Sequence, residues 1–203
     1  MLFATTPSGH AARPRQREAG FSLLEVLVAI VVLSFGVLGV VGLQAASLQA
    51  NKEARNQSAA VRLGRELGDL LRGNKDIAIQ IGSTNPYLVP NFTAGSSTLP
   101  SASEDCSTAA CTSRTNIAQF QIRDWLSRVS NELPGVRVVI CADSAPYDSA
   151  GIPQWICTNT GGLMVVKMGW TRQSTDRGAS DAAAVDRATV PSVVLPLIAG
   201  SAT

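Results

Sequence analysis

The sequence predicts an α+β protein: a long N-terminal helix, one half fit to span a membrane and the other amphipathic, packed on a small antiparallel sheet. Three observations predict it. Residues Phe21 to Leu43 form a run of 23 positions with a single charge, Glu25. Beyond it, Ala60, Leu63, Leu67, Leu70 and Leu71 recur at spacings of three and four, the period of a one-sided helix. The C-terminal part carries short apolar runs punctuated by Gly and Pro, as strands are.

The apolar run comes first. A helix of that length covers about 35 Å, enough for a bilayer core of about 30 Å. Residues 1–20 hold Arg13, Arg15 and Arg17 against Glu18, a net +2, and the rest of the chain has 14 basic and 14 acidic residues. Positive charge just before an apolar span places that end in the cytoplasm. The neutral remainder has no basic cluster of the kind that binds nucleic acid. An ordinary secretory signal would have an apolar core of about 7–15 residues and a small-x-small cleavage site, and neither fits. A plain membrane anchor leaves Glu25 unexplained, because a carboxylate near the start of a span costs free energy unless it is paired or near the interface.

Gly20-Phe21-Ser22-Leu23-Leu24-Glu25, following the basic segment, resembles the class III signal of type IV prepilins. The resemblance covers Arg13 to roughly Leu43. It implies cleavage between Gly20 and Phe21 by a prepilin peptidase, and N-methylation of the new Phe21 amine by the same enzyme. Gly20, without a side chain, extends easily into a protease cleft. Cleavage there removes residues 1–20 as a leader and keeps residues 21–43 as the transmembrane and assembly helix. The resemblance also gives Glu25 a role: pairing with the Phe21 amine of a neighbouring subunit would set axial register, as buried polar groups do in coiled coils. Gly36, Gly39 and Gly42 recur every three residues near the end of the span. A helix softened by glycine and close packing of small residues in the membrane are both open readings.

Residues 44–73 continue the helix in amphipathic form. No Pro interrupts Phe21 to Arg72, and one continuous helix of that length would measure about 78 Å; Gly73-Asn74 is the stop. Residues 74–203 form the head. Residues 74–114, rich in Ser, Thr, Asn, Pro and Gly, read as an irregular connection with one short strand. A second helix is expected over Thr115 to Leu133, where Ile117, Phe120, Trp125, Val129 and Leu133 share a stripe and Pro134-Gly135 ends it. Trp125 continues that stripe and belongs to the core. Strands are expected at Val136–Ala142 and Leu163–Thr171, with a long hairpin-like loop from Asp143 to Asn159 between them. Val190–Ile198 is a last strand, at an edge or broken, because of Pro191 and Pro196.

Four cysteines, Cys106, Cys111, Cys141 and Cys157, follow the apolar run and would lie on its far side. Disulfides are permitted in a periplasm. Four cysteines allow three pairings; Cys106 with Cys111 and Cys141 with Cys157 each close a short local loop. Zinc is the rival, weakened by the Cys-x4-Cys and Cys-x15-Cys spacings and by a single histidine, His10, in the leader.

The head has a resemblance of its own. Cys106-x4-Cys111, Asp124-Trp125, Leu133-Pro134-Gly135, Cys141 and Val165-Val166-Lys167-Met168-Gly169-Trp170-Thr171 follow one another in an order similar to the PilV-type minor pilins, or pilus modification proteins. The two resemblances together imply a pilin-like fold. They imply a structural subunit that primes pilus assembly or forms part of the tip, with roles in pilus biogenesis, twitching motility, adhesion or DNA uptake. The implied partners are the prepilin peptidase and methyltransferase, other minor pilins, the major pilin, the inner membrane and a tip adhesin. The implied path runs from a single-pass position in a bacterial inner membrane, head in the periplasm, to the pilus. A minor pseudopilin of a type II secretion system shares the signal and fold and is the first alternative. A membrane-tethered periplasmic binding module is the second. No enzyme is expected: the sequence shows no Gly-x-Ser-x-Gly elbow, no phosphate-binding Gly-rich loop and no metal motif, and no cofactor is implied. Asp143 with Asp148, and Glu104 with Asp105, are carboxylate pairs in polar loops and read as solvated surface.

Overall fold

A computed structural model describes residues 20–80, 82–161, 163–174 and 185–200. The chain divides into two compact units, residues 1–48 and 49–203. The first helix, α1 (Leu23–Gly73, 51 residues), contributes to both. In the first unit every described residue is exposed. An apolar surface on all sides is what a helix has when its partner is lipid or other helices. Among the described residues α1 is the one helix long and apolar enough to cross a bilayer.

The second unit has a core. From Ala60 onward α1 buries Ala60, Leu63, Gly64, Leu67, Gly68 and Leu71 along one stripe. At Gly73 the helix stops; Asn74 is buried, and its amide donates to Arg114 O at 2.8 Å and to the Tyr87 hydroxyl at 3.3 Å. Four residues then form α2 (Lys75–Ala78), a turn that the sequence reading merged into the irregular connection. Strand β1 (Val89–Thr93) lies in that connection. Helix α3 (Arg114–Glu132) begins at Ser113, whose hydroxyl accepts from Asn116 N–H at 3.1 Å, and buries Ala118, Ile122, Trp125, Leu126 and Val129. The Trp125 indole N–H donates to Leu63 O on α1 at 2.9 Å, so the largest core side chain is also hydrogen-bonded.

Strands β2 (Arg137–Ala142), β3 (Met164–Gly169) and β6 (Val193–Leu197) join β1 in a four-stranded antiparallel sheet of order β1-β2-β3-β6. The expected strand after Gly161-Gly162 ends at Gly169, short of Trp170 and Thr171. The chain then enters a small ribbon of β4 (Arg172–Gln173) and β5 (Val185–Asp186). The last strand, β6, is an edge strand and runs unbroken through Pro196. Alternation sends Val138, Ile140, Val166 and Met168 into the core with the helices. The opposite face carries Val139, Cys141 and Val165, a second small cluster with Trp155, Cys157 and Val194. The α+β architecture expected from the sequence is present: a long N-terminal helix and a small antiparallel sheet.

Two disulfides hold loops of the head. Cys106 is joined to Cys111 and Cys141 to Cys157, with Cα–Cα separations of 5.2 and 6.4 Å. The second ties the end of β2 to the segment 143–161, which covers the outer sheet face.

Candidate functional site

The candidate site is the start of α1. Gly20 and Phe21 precede the first helical residue, both exposed, Phe21 at 84%. Among the described residues nothing lies within 4 Å of where a Gly20 side chain would begin. The Gly20–Phe21 peptide is therefore non-helical, accessible backbone. Ser22 starts the helix as its N-cap: its carbonyl accepts from Glu25 N–H at 3.1 Å and Val26 N–H at 3.3 Å, and its hydroxyl accepts from Leu24 N–H at 3.3 Å. Those N–H groups would otherwise lack partners at a helix start.

Glu25 sits three residues after the cap, in the first turn. The spacing Ser-x-x-Glu is a capping pattern that the sequence displays, and reading Glu25 only as a register residue missed Ser22's part in it. A carboxylate in the first turn is favoured by the helix dipole. Glu25 makes no ion pair among the described residues. It stands at one end of a surface of exposed Leu, Val, Ile and Phe side chains that runs to Leu43. Along this surface Gly36, Gly39 and Gly42 meet no atom within 4 Å of an added Cβ. Nothing among the described residues requires their smallness. His10, Arg13, Arg15, Arg17, Glu18 and the rest of the expected leader before Gly20 lie outside the described residues.

The head holds a second group of charged residues, of which the sequence reading missed one and misplaced the other. Lys167, in the middle of β3, is fully buried, and so is Asp143 at the end of β2. Lys167 Nζ lies 2.5 Å from Asp143 Oδ2 and donates to the carbonyls of Gln154 (2.6 Å) and Ile156 (2.8 Å). Asp143 Oδ1 accepts from Ala145 N–H at 3.0 Å, Thr158 N–H at 3.3 Å and the Thr158 hydroxyl at 3.2 Å. Burial alone would raise the Asp143 pKa. The adjacent Lys167 ammonium and the Ala145 and Thr158 N–H groups outweigh it and hold the carboxyl below its ordinary value. Asp143 is thus not the solvated loop carboxylate expected. The signal for Lys167 was a lone charge inside Met-Val-Val-Lys-Met, since a buried charge needs partners. Asp148 does sit in an exposed turn, accepting from the N–H groups of Ala150 and Ile152. Glu104 and Asp105 are loop carboxylates, the first half-buried and the second exposed. Their pKa values are lowered, first of all by hydrogen bonds from the Thr112 and Ser107 side chains respectively.

The ligand atoms of Cys141, Asp143 and Cys157 lie within 4.8 Å of one another. The two sulfurs are bonded together and the carboxylate faces an ammonium, so the group does not offer a metal a ligand set.

Residues 15–41 match the family described as the prokaryotic N-terminal methylation motif. Comparisons with curated proteins and with solved structures gave no match. The motif spans the basic flank, Gly20-Phe21 and the apolar part of α1. It supports a type IV pilin-like or pseudopilin protein in general, and with it processing by a prepilin peptidase and assembly with other pilins. The motif and the apolar N-terminal helix together fit a membrane-anchored structural subunit.

Proposed function

We propose that this chain is a minor type IV pilin of the PilV type, a structural subunit that primes pilus assembly or forms part of the tip. The observation that carries the reading is a local one. An accessible Gly20–Phe21 peptide stands directly before an apolar helix whose first turn carries a carboxylate with no ion pair among the described residues, inside a matched methylation motif. Residues 1–20 are then the leader, 21–43 the membrane and assembly helix, 44–73 its amphipathic continuation and 74–203 the periplasmic head. Cleavage exposes the Phe21 amine, which is methylated. Glu25 meets the Phe21 amine of a neighbouring subunit, which fixes the register of apolar helices that otherwise slide freely. The order of head motifs from Cys106 to Thr171 supports the pilus over the secretion machine.

Mass spectrometry of the mature protein tests processing: a chain beginning at Phe21 and carrying one added methyl group is expected, and one beginning at Met1 would end the proposal. Glu25→Ala tests assembly. It is expected to insert in the membrane at wild-type level and to be depleted from sheared filaments; normal recovery in filaments would remove the role from Glu25. The alternative, a minor pseudopilin, shares the motif. Neighbouring genes separate the two, with other minor pilins or a tip adhesin on one side and secretion components on the other.

A further inference from the structure

We propose that residues 143–161 form a strap held on the outer sheet face by two independent latches, the Cys141–Cys157 bridge and the Lys167–Asp143 pair, either of which alone keeps it docked. The proposal does not depend on the functional reading above.

The strap covers one face of β2 and β3. If the disulfide alone held it, the residues beneath would be apolar, or exposed to water at the edges. Instead a lysine rises from the centre of β3 with no exposure to solvent. Its ammonium has three protons and three oxygens around it, from Asp143, Gln154 and Ile156. Two of those oxygens are backbone carbonyls of the strap itself. The third belongs to Asp143, whose other oxygen holds the N–H groups of Ala145 and Thr158, one near each end of the strap. The ion pair therefore ties the strap to the sheet from beneath and also closes its ends on one another. The bridge makes a separate connection from Cys157 to Cys141 on β2.

The neighbours of the pair are Val139 and Val194, across from Lys167 on the flanking strands, and the bridged sulfurs. Arg137, on the same strand face as Val139, lies over the ring of Trp155, itself a strap residue, at 4.4 Å and donates to Asn91. Among the described residues no other cation pairs with Asp143. Trp155 seats beside Gly169, where a Cβ would come within 2.9 Å of the ring, and its N–H donates to Thr189 O. Trp155 is half-buried and lies between Gln154 and Ile156, whose carbonyls Lys167 holds, so its contact is present in every state of the two latches. The consequence is a surface segment whose exposed Tyr147, Ile152 and Ile156 stay in place whether the bridge is formed or open.

Amide hydrogen exchange on the full chain in detergent tests this. A water-soluble phosphine opens the bridge: the disulfide takes up two electrons and two protons to give two thiols, and the phosphine becomes its oxide with oxygen from water. In the wild-type protein the amides of Ala145, Gln154 and Thr158 are expected to keep their protection within about tenfold on reduction. In Lys167→Met with Asp143→Leu, which removes both charges and with them the Oδ1 acceptor of the Ala145 and Thr158 N–H groups, the amide read is Gln154, which donates to Pro146 O: its protection is expected to persist while the bridge is intact and to fall at least about a hundredfold when it is reduced. If reduction of the wild-type protein alone brings these amides to the rate of an open loop, the ion pair is not a latch. If the oxidised double variant already exchanges at that rate, the bridge is not one. The wild-type arm needs no variant, so loss of protection there overturns the proposal even where the double variant fails to fold.

Discussion

The two halves of α1 are both rich in apolar residues, yet they dispose of them in opposite ways. Up to Leu48 the helix presents Leu, Val, Ile and Phe in every direction, and each large one is at least 46% exposed. From Gln49 onward the apolar residues collect on one stripe, and Leu63, Leu67 and Leu71 have no exposure at all. The carboxylates follow the same division. Glu25 has no ion-pair partner among the described residues, whereas Asp143 in the head is surrounded by donors from its own chain. A region whose needs are met inside the chain is there for folding. A region whose needs are left open is there for something outside it, whether lipid or other subunits. The comparison makes a general claim: substitutions in the head should change stability, and equivalent ones in the first half of α1 should change assembly alone.

The largest contrast is between the two carboxylates. Asp143→Asn leaves the Lys167 ammonium buried without a counter-charge and should cost the head about 3 kcal/mol or more, read by urea unfolding of the full chain in detergent. Glu25→Gln should leave the same unfolding midpoint unmoved. The acid limb sharpens the point. Asp143 is more acidic folded than unfolded, so it favours the folded state fully above the ordinary aspartate range near 3.9. That contribution is lost as pH falls through the lower folded value. Wild-type stability should therefore drop more steeply than that of Asp143→Asn below about pH 4, and parallel curves would show that the pair contributes nothing to folding.

Next comes a pair of leucines in one helix. Leu67→Ala should destabilise the head by about 2–5 kcal/mol, because the site is closed on all sides and leaves a cavity. Leu33→Ala, at 67% exposure, should change it by no more than about 0.5 kcal/mol. Tryptophan fluorescence reports both, since Trp125 and Trp170 lie in the head core. Equal losses would break the division drawn above.

What the sequence disclosed followed from how local each feature is. The start of α1 was legible because Gly20, Phe21 and Glu25 fall within six residues and belong to one motif, although the capping role of Ser22 was missed. The stripe of α3 was legible in part, since Trp125, Val129 and Leu133 are buried as expected while Ile117 and Phe120 are only half-buried and Ala118, Ile122 and Leu126 are buried beside them; β2 and β3 were legible from short apolar runs, the second interrupted by Lys167. Strand β1 was not placed, because Val-Pro-Asn-Phe-Thr does not alternate. It is a strand because β2 pairs with it, with an irregular register between Val89 and Phe92. Helix α2 is too short for any periodicity to show, being a single turn set by tertiary context. The Lys167–Asp143 pair was the main omission. The two residues are 24 positions apart, and only the fold of the strap brings them together. Their burial depends on a segment whose polar composition reads as surface.

A smaller effect separates the glycines. Gly39→Ala adds a methyl where nothing lies within 4 Å and replaces a poor helix former, so head stability should not fall. Gly64→Ala would place Cβ 2.4 Å from Leu195 Cδ1, where α1 meets the edge strand β6. Leu195 can rotate, and the gain in helix propensity offsets part of the strain, so a net loss of about 1 kcal/mol is expected. A gain in stability at Gly64 would mean that β6 is less closely seated than the structure places it.

The smallest effect comes from the charged residues on the open side of the head. Arg62 of α1 pairs with Glu132 at the end of α3, but both side chains are more than a third exposed. Water screens such a pair, and holding two long side chains in one geometry costs entropy, so Arg62→Ala should lower head stability by no more than about 0.5 kcal/mol. Sequence position alone would not foresee this, since Arg62 adjoins the buried Leu63. A double-mutant cycle with Glu132→Ala isolates the pair from any change in helix propensity. A coupling energy above about 1 kcal/mol would place this ion pair outside the range of exposed pairs. It would then make charge, and not the apolar stripe alone, a reason that the second half of α1 stays with the head.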